Sequence, residues 1–337
     1  MYAFYRSSVN MVSTSLKGKR AFISMSSRMF SSTCRNNKDN IKPRRAILYV
    51  PGNDRRKIDK VRSVNVDCAV LDCEDGVALN MKSEARNLIS TIDENFDFGQ
   101  SEYVVRINSI DSGLAEEDLR SILSSKRLPD TIMIPKVQDT SHIEWIKEKI
   151  KFYLKNFPNN KKLSLVLFVE SAKSLLNLQK ICESAVNLLN NEILCIEGLV
   201  FGSDDFCADI GATRSTEGLE LLTARQMFVI VAKCFRLQAI DMVHINYKDI
   251  DGLSKASIEG AKMGFTGKQV IHPSQVPIVQ KAFSPSAEKV KWATDLIQQF
   301  ELHQKEGKGA FTFQGAMIDK PLLLQAQNII KIAKAIS

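Results

Sequence analysis

Acidic residues close one apolar run after another in this 337-residue chain. The run at 198–206 reads GLVFGSDDF and stops on Asp204 and Asp205; the run at 68–75 stops on Glu74 and Asp75, and the run at 164–170 on Glu170. Other runs close on other polar groups. Tyr49 and Asn53 follow the first, Arg106 and Asn108 close the third, Lys136 the fourth and His272 the last. An apolar strand that ends in a carboxylate adds little to a core and presents a ligand well. Glu170 and Asp205 end consecutive runs. Two carboxylates, with water and substrate oxygens completing an octahedron, are how a protein usually holds Mg²⁺. Nothing suits zinc: His142, His244, His272 and His303 are far apart and the seven cysteines are scattered. Without a cation the acids raise one another's pKa by repulsion. Arg106 offsets that and can clamp a substrate carboxylate in a bidentate fork. Arg56 and Lys60 are four apart, share a helix face and could hold a diphosphate, although a solvated basic face is the commoner use of that spacing. Side chains on a strand alternate, so Asp204 and Asp205 are expected on opposite faces, and the spacing does not say which meets the site.

The elements that must position these groups follow a regular order. Apolar runs at 45–51, 68–75, 103–109, 131–137, 164–170, 198–205, 238–247 and 269–273 predict strands. Helical spacing fills the gaps, at 81–92, 114–124, 141–155, 172–190, 218–236 and 254–263. Strands alternating with helices imply a parallel sheet with right-handed crossovers. Eight of them in about 230 residues fit an α/β fold of the (β/α)₈ TIM-barrel type, whose active site lies at the carboxyl ends of the strands. No GxGxxG follows the first strand, which removes the best evidence for a dinucleotide-binding sheet. Beyond the eighth strand come a helix at 286–304, a Gly-rich segment at 307–320 and a last helix at 321–336. The segment's apolar residues need cover, so it is expected to pack across a barrel mouth, its own or a partner's.

Charge divides the chain unevenly. Residues 1–40 hold seven of the 46 Lys and Arg but one of the 38 Asp and Glu, so they carry +6 of the net +8. A Ser- and Arg-rich, acid-poor leader without an apolar core has the composition of a mitochondrial transit peptide. The near-neutral body argues against a nucleic-acid partner. No apolar run approaches the ~20 residues of a membrane span. Scattered cysteines without CxxC pairs fit a reducing compartment.

Residues 45–54 (RAILYVPGND), 70–77 (VLDCEDGV), 168–170, 198–206 and 265–273 (FTGKQVIHP), in this order, resemble the citrate lyase β-subunit-like branch of the HpcH/HpaI aldolase/citrate lyase family. The resemblance covers essentially everything after residue 41. It implies a leader at 1–40 addressing the mitochondrial matrix, a barrel at 41–283 carrying the metal and CoA site, and a helical lid at 284–337 that reaches a neighbouring subunit of a homotrimer. The implied chemistry is Mg²⁺-dependent carbon–carbon cleavage of an acyl-CoA thioester. The expected case is (3S)-citramalyl-CoA going to acetyl-CoA and pyruvate, with malate or citramalate synthase activity (glyoxylate or pyruvate as keto acid) and malyl-CoA thioesterase activity on the side. Carried over by position, Glu170 and Asp205 match the metal ligands, and Arg106 the substrate-carboxylate and oxyanion arginine. Tyr49, Arg56, Lys60, Ile271 and His272 match CoA contacts, with arginine at 56 where relatives are expected to carry lysine. Glu74 fits an acid that orients metal-bound water, and Asp319 matches the catalytic acid/base. Asp319 also precedes a helix, but Pro321 at the first helical position would place Lys320 at the cap and Asp319 outside it. Two other readings fit the residues: a metal-dependent 2-keto acid aldolase with no use for CoA, and a non-catalytic citrate-lyase-like subunit.

Overall fold

Eight strands made of short apolar runs can bury both faces only if the sheet closes on itself and helices cover the outside. That is the arrangement in the computed structural model, which describes residues 42–155, 162–189, 193–305 and 311–336. The strands are β1 (Ala46–Pro51), β2 (Cys68–Asp72), β3 (Glu102–Arg106), β4 (Thr131–Ile134), β5 (Leu163–Val169), β6 (Leu194–Phe201), β7 (Gln238–Asp241) and β8 (Gly267–Val270). All pair in parallel and in sequence order, and β8 returns to β1 to close the barrel. The expected leader lies outside the described residues.

Strand parity sorts the side chains. Ile47, Val70, Val104, Met133, Phe168, Val200 and Ile240 fill the barrel interior, while Leu48, Leu71, Val105, Leu167 and Phe201 pack outward against the helices. Extending the inward set by two residues leads from Ile47 to Tyr49, from Val70 to Asp72, from Val104 to Arg106 and from Phe168 to Glu170. The polar groups at the carboxyl end are thus continuations of the interior stacks. At the opposite end Arg44 closes the barrel: it is fully buried and donates to Glu102, Thr131 and Glu197. Leu165 pairs with Ile196 and Val166 with Gly198, which leaves Glu197 as the extra residue of a bulge in β6.

Helices follow the strands around the outside of the barrel. After β1 come α1 (Arg55–Asp59) and α2 (Val61–Val64), and after β2, α3 (Lys82–Ser90). Then follow α4 (Ala115–Leu123), α5 (Thr140–Leu154), α6 (Ala172–Leu189), α7 (Ser203–Ile210), α8 (Leu222–Cys234), α9 (Ile250–Met263) and α10 (Val276–Ala282). Here the structure corrects one expectation. The sixth strand ends at Phe201, and Asp204 and Asp205 lie in the first turn of α7, not on alternating strand faces. Acids in a first turn meet the positive end of the helix dipole, which favours this start.

The C-terminal region has its own small core. Helix α11 (Ala287–Lys305), a hairpin of β9 (Phe311–Phe313) and β10 (Ala316–Ile318), and α12 (Lys320–Ile336) bury Ala293, Leu296, Ile318 and Ala326 together. The Gly-rich segment makes its turn through Gln314 and Gly315, both at positive φ. These helices lie beside the amino-terminal end of their own barrel, where Trp292 and Ile329 join Arg45, Gln238 and Phe265 around a cavity of about 820 Å³. Within the chain, this region therefore covers the end opposite the mouth.

Candidate active site

Asp72 is the fixed point of the mouth. Its Oδ1 and Oδ2 accept from Arg106 Nε and Nη2 at 2.7 and 2.6 Å, and from the Glu74 and Gly76 amides at 2.8 Å each. Burial opposes ionisation here, but the Arg106 guanidinium and the two amides prevail and hold the carboxyl below the usual range. Gly76 is required by this geometry, because a Cβ there would stand 2.6 Å from Asp72 Oδ2. Asp72 takes one edge of Arg106, and Nη1 lies 2.9 Å from Glu74 Oε2. The Arg106 guanidinium sits 4.7 Å from the centre of the Tyr49 ring and 5.8 Å from that of Phe168. A guanidinium has five N–H donors in one plane. With its inner edge anchored and a ring on its face, Arg106 keeps its outer edge for an oxygen of a bound molecule. Asp72 escaped the sequence reading, although the interior parity Cys68–Val70–Asp72 pointed to it.

Tyr49 is held from the other side. Its hydroxyl donates to Gln269 Oε1 at 3.0 Å, while Gln269 Nε2 donates to the Phe201 and Asp241 carbonyls. Two carbonyl acceptors fix which end of the Gln269 amide is nitrogen, so Oε1 must face the phenol. Burial raises the Tyr49 hydroxyl well above its ordinary range, opposed by Arg106, so the phenol stays protonated.

The carboxylates collect around Glu170 and Lys136. Glu170, one residue past β5, is buried and accepts from the Lys136 amide at 2.7 Å. Burial, then the charges of Glu74 and Asp205, push its carboxyl up to about 8 against the opposing pull of Arg106. Glu74 is raised for the same first reason. The Lys136 ammonium stands 3.1 Å from Glu74, 3.6 Å from Asp75 and 3.6 Å from Asp205. Gly202, the residue before α7, presses on Glu170: a Cβ there would lie 2.4 Å from its Cγ and Oε1. The turn that starts α7 therefore brings Asp205 to Glu170 by direct backbone approach. Asp204 goes elsewhere, into an ion pair with Arg214.

This pair fits a hard divalent cation. Among the described residues no group of three or more His, Cys, Asp or Glu is arranged as a metal cage. A buried acid pushed up toward neutrality beside a half-exposed second acid offers two oxygens and an open, watered side. Mg²⁺, which keeps several of its waters, uses that donor set; Zn²⁺ does not.

The remaining predicted residues line the rim. Arg56 and Lys60, on and just after α1, are exposed and enter no ion pair among the described residues, whereas Arg55 and Lys57 are engaged by Asp59 and Asp54. His272 caps the turn Pro273–Gln275 and stacks on Tyr247 with ring centres 4.6 Å apart; Ile271 beside it is half-exposed. Tyr247 was not singled out in the sequence, although the predicted seventh run extended to 247; the strand itself ends at Asp241. Asp319 is not brought to the mouth. It is exposed, and its carboxylate accepts from the Leu322 amide at 3.3 Å, so it does cap α12, contrary to the placement inferred from Pro321. Among the described residues no hydrogen bond or ion pair joins it to Arg106, Glu74 or Glu170.

The family model for HpcH/HpaI aldolase/citrate lyase matches residues 45–273. The chain is 54% identical over 294 residues to a mitochondrial citramalyl-CoA lyase from Homo sapiens, covering 87% of this chain and 86% of the relative. It is 28% identical to a (3S)-malyl-CoA thioesterase from Cereibacter sphaeroides, over 88% of this chain and 96% of that one. Among solved structures it is similar to the protein CitE from Mycobacterium tuberculosis in complex with magnesium, acetoacetate and coenzyme A. That similarity has a TM-score of 0.66 at 26% identity and covers 87% of this chain and 98% of that one.

Proposed function

The chain belongs to the HpcH/HpaI aldolase/citrate lyase family, and from that premise we propose that it is a Mg²⁺-dependent lyase cleaving (3S)-citramalyl-CoA to acetyl-CoA and pyruvate. The observation that carries this reading is the 54% identity to a citramalyl-CoA lyase over 294 residues. Glu170 and Asp205 would hold the metal, which would supply Lewis acidity at the hydroxyl and carboxylate oxygens of the substrate. Arg106, aimed by Asp72 and braced by Tyr49, offers its outer edge to the oxygen on which negative charge grows. As the hydroxyl gives its proton to water, from which Asp319 is in turn protonated, the bond between the carbinol carbon and the methylene breaks. The hydroxyl becomes the keto group of pyruvate, and the bonding pair passes into the thioester as an enolate. Asp319 of the partner subunit returns a proton to the methylene carbon, giving acetyl-CoA. Glu74, ion-paired with both Arg106 and Lys136, would orient water at the metal site. Arg56, Lys60, Ile271 and His272 line the rim where the CoA moiety enters.

A homotrimer is the assembly that the family resemblance implies, and the position of Asp319 supports a shared site, since in its own chain it belongs to a region beside the opposite end of the barrel. The basic leader serves as a transit peptide to the mitochondrial matrix. Hydrolysis of malyl-CoA and condensation of acetyl-CoA with glyoxylate or pyruvate use the same groups and are expected as lesser activities.

Subunit mixing tests the assignment. Asp319→Ala is expected to lose lyase turnover by about 100-fold or more with Mg²⁺ affinity unchanged, and Glu170→Gln to lose it through the metal. Co-refolded, the two should recover activity, because each supplies the group the other lacks. Full activity in Asp319→Ala alone would overturn the mechanism.

A further inference from the structure

Four non-glycine residues among those described adopt positive φ. Asn65 closes α2, Arg236 follows α8 and Gln314 turns the hairpin, all ordinary places for it. Lys136, at φ 53°, is different: it follows β4 at the mouth, and its backbone and side chain serve the same cluster. The left-handed conformation is strained for a lysine and persists where surrounding contacts demand it. Here the demand is visible. The amide donates to Glu170 at 2.7 Å, and the ammonium stands 3.1–3.6 Å from Glu74, Asp75 and Asp205. One residue thus contacts four carboxylates that come from the β2 loop, the end of β5 and the start of α7.

We propose that Lys136 is a positioning residue whose ammonium is the resident counter-cation of this cluster and sets its affinity for the divalent metal. The inference rests on the reading of Glu170 and Asp205 as metal ligands. Before the metal arrives, the ammonium holds Glu74 and Asp205 together against their mutual repulsion while the amide holds Glu170. Once a divalent cation lies between Glu170 and Asp205, the two positive charges repel, so Lys136 stabilises the metal-free mouth and weakens metal binding.

The left-handed backbone supplies a clean test. Glycine adopts this conformation freely, so Lys136→Gly removes the ammonium and keeps the amide on Glu170. Lys136→Arg keeps the charge. Binding of Mg²⁺ is measured by titration calorimetry and of Mn²⁺ by electron paramagnetic resonance on the full-length protein. The proposal expects Lys136→Gly to bind both ions about tenfold more tightly, or better, and to melt lower than wild type without metal. Lys136→Arg should stay within about threefold of wild type. A lysine that merely supported the fold would weaken metal binding when lost, so unchanged or weaker affinity in Lys136→Gly overturns the proposal. Glu170→Gln serves as the separate control. If it bound Mg²⁺ like wild type, the ligand reading would fail and the proposal with it, whatever the Lys136 variants did.

Discussion

Asp72 decides where Arg106 points. Two carboxylate oxygens take the Nε/Nη2 edge, two amides fix the carboxylate, and the outer Nη1/Nη2 edge is left, with Glu74 2.9 Å from Nη1. Asp72→Asn keeps the shape but loses the charge and one of the two acceptors. We expect kcat to fall about 100-fold with KM for the thioester changed little, since a misaimed arginine costs the transition state more than the bound substrate; steady-state kinetics check this. A second residue pair acts on stability alone. Burial would raise Glu102, but Arg44, assisted by Lys42 and Thr131, brings it down to about 2. A depressed carboxyl stabilises the fold above its unfolded pKa and loses that contribution as pH falls through its folded pKa, so the window runs from about 4.5 to about 2. The contribution is about 3 kcal/mol at neutral pH. Melting curves across that window should be steeper in pH for the wild type than for Arg44→Met, which should also be the less stable protein at pH 7. Among single residues, Glu170, Arg106 and Glu74 were legible because charge at a strand end is conspicuous. Asp72 was not, because the predicted run was carried on to Glu74 and Asp75, whereas the strand ends at Asp72 itself.

At the level of elements, the site depends on how β6 becomes α7. The strand stops at Phe201, Gly202 touches Glu170, and helix starts at Ser203. The sequence reading carried the strand through the two aspartates because its apolar run and its acids are contiguous. The helix was hidden because a turn of one or two residues leaves no periodicity to read. The consequence is chemical: successive helical residues are ~100° apart, not opposed, which lets Asp204 face Arg214 while Asp205 faces Lys136 and Glu170. Gly202→Ala puts a methyl group where the Glu170 carboxylate lies. Its Mg²⁺ affinity should drop about tenfold or more, as for loss of a supporting contact at a metal site, with little change in the far-ultraviolet circular dichroism spectrum; calorimetric titration reads the affinity. The C-terminal hairpin was illegible for a related reason: β9 and β10 have three residues each, too few to show alternation.

At the scale of the whole molecule, the barrel was the most legible feature. Eight apolar runs separated by amphipathic spacing admit few other closures, and the strand order follows the chain without exception. What the sequence could not place was the C-terminal region relative to the mouth, because nothing in a helix's own pattern says which surface receives it. The chain sets Asp319 on a region beside the other end of the barrel, so the acid role proposed for it calls for a second copy at each mouth. The central claim is that this mouth breaks a carbon–carbon bond in the acyl group of a CoA thioester with a divalent cation. The direct measurement incubates the purified chain lacking residues 1–40 with (3S)-citramalyl-CoA and Mg²⁺ and identifies the products by mass. Acetyl-CoA and pyruvate should form in equal amounts, stop forming with EDTA and resume on adding Mg²⁺ in excess. No cleavage of the carbon–carbon bond, or cleavage indifferent to EDTA, would contradict the account.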